Sequence, residues 1–194
     1  MNDAKPADTE RRASAPKLDG ERYHRYLKAL LAGDRATCGS TVEDLLAGGW
    51  SVRDLYEGLF RKSLYEVGDL WEQGRISVAD EHLATAMTEA LMARAYPALF
   101  GRSHTGRTAT VSCLVNEQHR IGAKMVADTF EMNGWSCDYL GANTPVDDLL
   151  GLVERTRPDI VALSAAVRSS LDRLADTAAK LQERIPGQAI WVGG

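Results

Sequence analysis

One short stretch of the sequence combines an indole, a carboxylate and an imidazole. In residues 68–84, which read GDLWEQGRISVADEHLA, Trp71 stands ten residues before the adjacent pair Glu81 and His82. An indole is a large apolar plate with one N–H donor, and an imidazole is a common transition-metal ligand. These side chains could share a ligand near the join between two predicted helices. Alternatively, Trp71 belongs to a hydrophobic core, and Glu81 is a favourable charge at a helix N-terminus.

A second set of polar and small residues lies in the C-terminal half. The motif E-x-H-x-x-G occupies residues 117–122, Ser164 ends a later apolar segment, and a glycine pair at 193–194 ends the last one. Considered singly, each feature is ordinary. Glu117 and His119 could be solvated loop residues, the serine could be a strand-end hydroxyl or a helix cap, and a glycine pair is usually a turn.

The elements that must position the first stretch are helices. Between residues 21 and 100, apolar side chains recur at helical spacing in four segments, without a convincing strand. Ser77 and Asp80 resemble a capping box that would start the fourth helix. Short connections favour an antiparallel four-helix bundle over residues 21–100. The polar residues 1–20 predict a disordered leader.

After a polar linker at residues 101–107, the apolar pattern changes from helical to strand-like. Residues 108–194 alternate four strand patterns with three helical ones, beginning with TATVSCLV. Strict alternation predicts a parallel, Rossmann-like (flavodoxin-like) sheet covered by helices. The expected fold class is therefore α/β plus all-α. Ligands of such sheets bind at the carboxyl ends of the strands, where the second set of residues lies.

Composition excludes several classes of function. The formal net charge of −4 provides no basic surface for nucleic acid, so we expect no direct nucleic-acid binding. No apolar run approaches the roughly 20 residues that span a bilayer, and the N-terminus lacks the apolar core of a signal peptide. Three cysteines, an odd number, are typical of reduced thiols. We therefore expect a cytoplasmic protein without a membrane partner.

Taken together, the parts of the second set have an informative spacing. Residues 123–163 separate the E-x-H-x-x-G motif from Ser164, and residues 167–192 separate Ala165-Ala166 from the glycine pair. This spacing resembles the cobalamin-binding domain of methionine synthase, corrinoid carriers and certain mutases, and the resemblance covers residues 108–194. It implies cobalamin as the cofactor, in an adenosyl, methyl or hydroxo form. It also implies that a complete domain continues with a further strand and helix, so the chain could be a fragment.

The resemblance implies a role for each residue of this set. His119 would be the metal ligand, replacing the cofactor's own dimethylbenzimidazole on cobalt, and Glu117, where the family usually has Asp, would hold the imidazole. The displaced tail would enter a slot between small residues, where Ser164 would hydrogen-bond it. The cofactor-binding residues implied on this lower face are Glu117, Gln118, His119, Arg120, Gly122, Ser164, Ala165, Ala166, Gly193 and Gly194.

The first stretch resembles the cap motif of cobalamin-dependent photoreceptors of the CarH and AerR type. The resemblance implies that Trp71, Val78, Glu81 and His82 cover the upper face of the corrin ring. In the CarH branch, the residue after the tryptophan is a histidine that ligates cobalt after illumination, whereas this chain has Glu72. A different ligand in the light, water or His82, is therefore expected.

The two resemblances predict a light-sensing regulator that is not an enzyme. CarH proteins carry an N-terminal DNA-binding domain, whereas this chain has a short leader, as in the AerR branch. We therefore expect control of transcription through a protein partner, a DNA-binding transcription regulator, with light-dependent self-association as a further expectation. The alternative is a corrinoid carrier subunit of a methyltransferase system, which would share the lower-face residues.

Overall fold

The structure, a computed structural model, describes residues 18–99 and 103–194. Most of the predicted leader and the start of the predicted linker lie outside the described residues. The chain forms two compact units that divide between Ile76 and Ser77. Within the described residues, no helix is both long enough and apolar enough to cross a membrane.

The first unit is built of helices whose starts are fixed by capping side chains. Asp19, Asp34 and Ser51 each accept a hydrogen bond from the backbone N–H three residues further on. Each cap satisfies a donor that the first turn of a helix leaves free. The elements are α1 (Gly20–Leu31), α2 (Arg35–Ala47), α3 (Val52–Asp54), a π-helical segment (Leu55–Phe60) and α4 (Arg61–Glu72). The last three follow one another without a break.

Between residues 18 and 76, the π-helical segment is the departure from the predicted helices. Leu55, Leu59 and Phe60 are fully buried here. Gly58 lies against Trp50, since a Cβ at this glycine would come within 3.0 Å of the indole. A π-helix closes i→i+5 hydrogen bonds, so the regular spacing of an α-helix does not predict it.

The second unit begins with a helix and continues into the sheet. Ser77 and Asp80 form the predicted capping box: the serine hydroxyl accepts from the Asp80 N–H at 3.2 Å, and the aspartate accepts from the Ser77 N–H at 2.8 Å. The elements are α5 (Val78–Ala95), a 3-10 turn (Tyr96–Leu99), β1 (Thr108–Cys113), α6 (Ile121–Met132), β2 (Ser136–Gly141), α7 (Val146–Thr156), β3 (Ile160–Ser164), a second 3-10 turn (Arg168–Ser170), α8 (Leu171–Arg184) and β4 (Ala189–Gly193).

The strands form one parallel sheet in the order β2-β1-β3-β4. The chain passes outward from β1 to β2 and then returns beyond β1 to β3, so the strand order reverses between β1 and β3. In sheets of this type, a ligand crevice opens at the carboxyl ends of the strands where the order reverses. The predicted fold class, a helical cap region followed by a flavodoxin-like sheet, is confirmed.

Side chains alternate along the central strands, so the sheet has two apolar faces. Val161 and Leu163 pack on one face, in a cluster with side chains of α7 and α8. Val111 and Ala162 pack on the other face, in a cluster with Phe130 of α6. Helices cover both faces of the central strands β1 and β3, as parallel sheets require, whereas Trp191 and Val192 of the edge strand β4 are more than half exposed. The polar residues of the predicted site lie at the carboxyl edge of the sheet, at the ends of strands and in the loops that follow them.

Candidate cofactor site

Glu117 connects the two loops that flank the reversal of strand order. It lies in the loop after β1, and only 1% of its surface is exposed. Its Oε1 accepts a hydrogen bond from the backbone N–H of His119 at 2.9 Å and lies 2.7 Å from Nδ1 of the same residue. Its Oε2 accepts from the N–H of Ala166, in the loop after β3, at 2.8 Å. One buried carboxylate therefore holds the His119 ring and ties it to the neighbouring loop.

The charge of Glu117 determines which nitrogen of His119 is available to a metal. Burial alone would raise the pKa of this carboxyl, but the hydrogen bonds from His119 and Ala166 outweigh it and hold the pKa below its ordinary value of 4.5. Because an ionised carboxylate only accepts hydrogen bonds, Nδ1 of His119 carries the proton. In the neutral ring, the other nitrogen, Nε2, bears the lone pair, and because the ring is exposed this nitrogen can ligate a metal.

The rest of the His119 loop is held by polar contacts at both ends. Before Glu117, the N–H of Asn116 donates to the side-chain oxygen of Asn143 at 2.8 Å. After His119, the guanidinium of Arg120 pairs with Glu89 of α5. Both asparagines have left-handed backbones, with φ of 64° and 56°, which asparagine tolerates better than most residues. Arg120, which the resemblance assigns to the cofactor, is thus held by Glu89, a residue that sequence reasoning missed.

A groove of about 310 Å³ opens beside the carboxyl edge of the sheet, within the size range of small-molecule sites. The predicted residues Gly122, Ser164, Gly193 and Gly194 all line it. A Cβ at Gly122 or Gly193 would meet nothing within 4 Å, so these glycines leave the groove open. At Gly194, a Cβ would come within 1.9 Å of the Ala165 carbonyl oxygen, so only glycine permits this close approach.

The other groove residues are all apolar, and sequence reasoning missed them. They are Val111, Ala123, Val126, Ala162, Leu163, Trp191 and Val192. Alternation along the strands predicts only Val111, Ala162 and Trp191, which share the α6 side of the sheet, whereas the rest lie in α6 or at the ends of β3 and β4. An elongated group with an aromatic ring fits this lining.

The predicted cap residues are divided between the two units. Trp71 lies near the end of α4 and is 47% exposed, so it is not part of a buried core. Val78, Glu81 and His82 belong to the start of α5. Nδ1 of His82 lies 2.6 Å from Oε2 of Glu81, whose Oε1 accepts from the hydroxyl of Thr85 at 2.8 Å. The approach of the indole to this pair stays a prediction.

The fold and the site define a class of protein: a helical cap region with a parallel sheet whose carboxyl edge presents a histidine beside a glycine-lined groove. Two family models, each described as a B12 binding domain, match residues 22–96 and 107–194. The chain belongs to the B12-binding domain family, and its cofactor is cobalamin.

Known proteins similar to this chain include regulators and a corrinoid protein. The HTH-type transcriptional repressor CarH of Myxococcus xanthus is 31% identical over 170 residues, covering 87% of this chain and 56% of the repressor. The repressor CarA of the same organism is 36% identical over 129 residues, covering 65% and 43%. The chain thus spans about half the length of these curated relatives. In fold, the monomethylamine corrinoid protein of Methanosarcina barkeri matches with a TM-score of 0.76 and 16% identity, covering 90% of this chain and 84% of that one.

The family matches and the division into compact units place α5 in different parts of the chain. The first family match ends at residue 96 and so includes α5 with the preceding helices. The second compact unit begins at Ser77 and includes α5 with the sheet. The predicted domain limits, 21–100 and 108–194, stay a prediction. α5, the helix that carries Glu81 and His82, therefore belongs both to the first family match and to the second compact unit.

Proposed function

We propose that this chain is a light-sensing regulator that binds cobalamin through His119 and controls transcription through a protein partner, without catalysing a reaction. The observation that carries the proposal is the exposed indole of Trp71, a large apolar side chain in a helical cap region of a cobalamin protein. An exposed indole of this kind can cover an apolar group bound to the cofactor.

On the lower face, the residues of the second unit hold the cofactor. Nε2 of His119 would hold the cobalt, because Glu117 occupies Nδ1. The bond from Ala166 to the same carboxylate fixes the direction of the ring. Gly122 and Gly193 leave room for the displaced tail. A carboxylate that accepts the other ring N–H of a metal-bound imidazole orients the ring and raises its basicity.

On the upper face, the cap residues distinguish two states. Bound cobalamin supplies a cobalt–carbon bond that visible light breaks. Trp71 would cover an apolar group on that bond, Val78 would help to exclude water from it, and Glu81 and His82 would contact its polar atoms. Loss of that group would remove these contacts. The cofactor can shift the equilibrium between the two states of the protein only by as much as its affinities for those states differ.

The partner is proposed to be a DNA-binding transcription regulator. The similarity to two transcriptional repressors supports a regulatory role. The net charge of −4 does not favour direct contact with nucleic acid. A changed cap surface could therefore control a protein partner or a second copy of the chain.

The test compares dark and illuminated protein loaded with adenosylcobalamin by size-exclusion chromatography and limited proteolysis. We expect the wild type to differ between dark and light, and Trp71→Ala to bind cobalamin but to show little difference. Tyr65→Ala is the matched control, because Tyr65 is an even more exposed aromatic residue of α4 outside the cap motif. Identical wild-type behaviour in dark and light, together with efficient methyl transfer to an acceptor protein, would contradict the proposal and favour the corrinoid carrier.

A further inference from the structure

Arg120 directly follows His119 and is held by a two-point ion pair. Its Nε lies 2.5 Å from Oε1 of Glu89, and a terminal guanidinium nitrogen lies 2.8 Å from Oε2. Paired contacts of this kind fix the plane and the direction of an arginine side chain, which a single contact does not. Glu89 belongs to α5, so the residue after His119 is tied to that helix.

The backbone of Arg120 is held as well. The hydroxyl of Tyr139, in β2, donates to the Arg120 carbonyl oxygen at 2.9 Å, and the N–H of Lys124 donates to the same oxygen at 2.9 Å in the first turn of α6. On the other side of His119, Glu117 is bound to Ala166. The imidazole thus lies between two fixed points, one attached to the sheet and one attached to α5.

The face of α5 that contacts Arg120 also carries the upper Glu–His pair. Glu81, Thr85 and Glu89 follow one another at intervals of four residues, so they lie along one face of the helix. Glu81 and Thr85 are joined by a hydrogen bond of 2.8 Å. At a rise of about 1.5 Å per residue, Glu81 and Glu89 are separated by about 12 Å along the helix axis. A displacement of α5 therefore moves both ends of this face together.

We infer, on the basis of the proposed role of His119 as axial ligand, that Glu89 and Arg120 are a positioning pair. They set the place of the His119 ring and couple it to α5. A change of contacts at Glu81 and His82 is transmitted along α5 to the residue next to the lower ligand, and a change at the lower ligand is transmitted back. Glu89 also balances the positive charge of Arg120 beside the His119 ring.

A second ion pair provides a matched control. Arg184 of α8 contacts Glu154 of α7 with the same two-point geometry, at 2.6 and 3.2 Å, and both pairs are similarly exposed. Neither residue lines the groove or contacts the His119 loop. Glu154→Gln therefore measures the effect of losing a surface ion pair that lies away from the His119 loop.

The experiment measures cobalamin dissociation, the EPR spectrum of the reduced cob(II)alamin form, and hydrogen exchange of residues 117–122 without cofactor. For Glu89→Gln we expect dissociation about 10-fold faster, at the lower end of the losses caused by removing a group that supports a metal ligand, with an altered nitrogen coupling and faster exchange of the loop. The charge exchange Glu89→Arg with Arg120→Glu should recover part of each change, whereas Glu154→Gln should match the wild type.

Two outcomes separate this inference from the proposed function. If His119→Ala removes the protein nitrogen coupling but Glu89→Gln behaves as Glu154→Gln does, the positioning role is wrong and the axial ligand stands. If His119→Ala leaves the coupling unchanged, the proposed ligand is wrong and the positioning role fails with it.

Discussion

Two Glu–His pairs in the second unit share one contact and differ in their surroundings. Nδ1 lies 2.7 Å from the carboxylate in Glu117–His119 and 2.6 Å in Glu81–His82. The Glu117 side chain is 1% exposed, however, and the Glu81 side chain is 26% exposed. Glu117 also accepts from backbone N–H groups of two loops, whereas Glu81 accepts from Thr85 of its own helix.

The difference indicates which pair is fixed and which can rearrange. A buried carboxylate that loses its partners leaves unsatisfied groups, so Glu117 is held in one arrangement. An exposed ion pair contributes only about 0–1 kcal/mol, so Glu81 and His82 can exchange partners at little cost. The lower pair suits a ligand that must keep its direction. The upper pair suits a group that responds to a change in the cofactor.

The largest expected effect comes from filling the groove beside the fixed pair. Gly122→Leu should retain the fold, because a Cβ there meets nothing within 4 Å, but its side chain would occupy the space for the tail. Burial of a large apolar group contributes about 1.5–3 kcal/mol, which corresponds to a loss of cobalamin affinity of roughly 10- to 150-fold. Equilibrium titration measures the loss, and circular dichroism checks the fold.

Gly151→Leu is the control for this substitution. Gly151 is also a helical glycine whose added Cβ would meet nothing within 4 Å, but it lies in α7 and does not line the groove. Equal affinities for the two leucine variants would show that the groove does not receive the tail.

A smaller effect should separate the two carboxylates directly. Glu117→Gln keeps the shape but removes the charge behind His119, and such changes weaken metal affinity by about 10- to 100-fold. Glu81→Gln should change cobalamin affinity by less than about 3-fold, because its pair is exposed. Affinities and absorption spectra of the two variants, measured side by side, check the difference. Equal losses would mean that burial does not distinguish the pairs.

The smallest effect is expected at the start of α5. Ser77→Ala removes a capping hydroxyl and should reduce the stability of this helix end by about 0.5–2 kcal/mol. Hydrogen exchange in the first turn of α5, around Glu81 and His82, should increase, and residues 117–122 should respond more weakly, because Glu89 and Arg120 couple this loop to the same helix. Ser51→Ala is the control, since Ser51 forms the same capping box at the start of α3. Exchange in the first turn of α5 that stays at the wild-type level in Ser77→Ala would contradict this expectation.

Local patterns were sufficient to predict the elements but not the contacts between them. The Ser77–Asp80 capping box and the alternation of strands and helices are encoded within a few residues, and the structure has both. The burial of Glu117 could not be predicted, because it depends on the loop after β3 lying beside the loop after β1. Glu89 has the appearance of an ordinary surface residue in the sequence, and only the fold brings it to Arg120.

The measurement that tests the central claim most directly is the EPR spectrum of the reduced cob(II)alamin form with ¹⁵N-labelled histidine. We expect the nitrogen superhyperfine pattern to change with the label in the wild type and in His82→Ala, and to lose the protein nitrogen in His119→Ala. This result would distinguish two histidines that have nearly the same contact with a glutamate. A coupling from the benzimidazole nitrogen, insensitive to the label and unchanged in His119→Ala, would contradict the account.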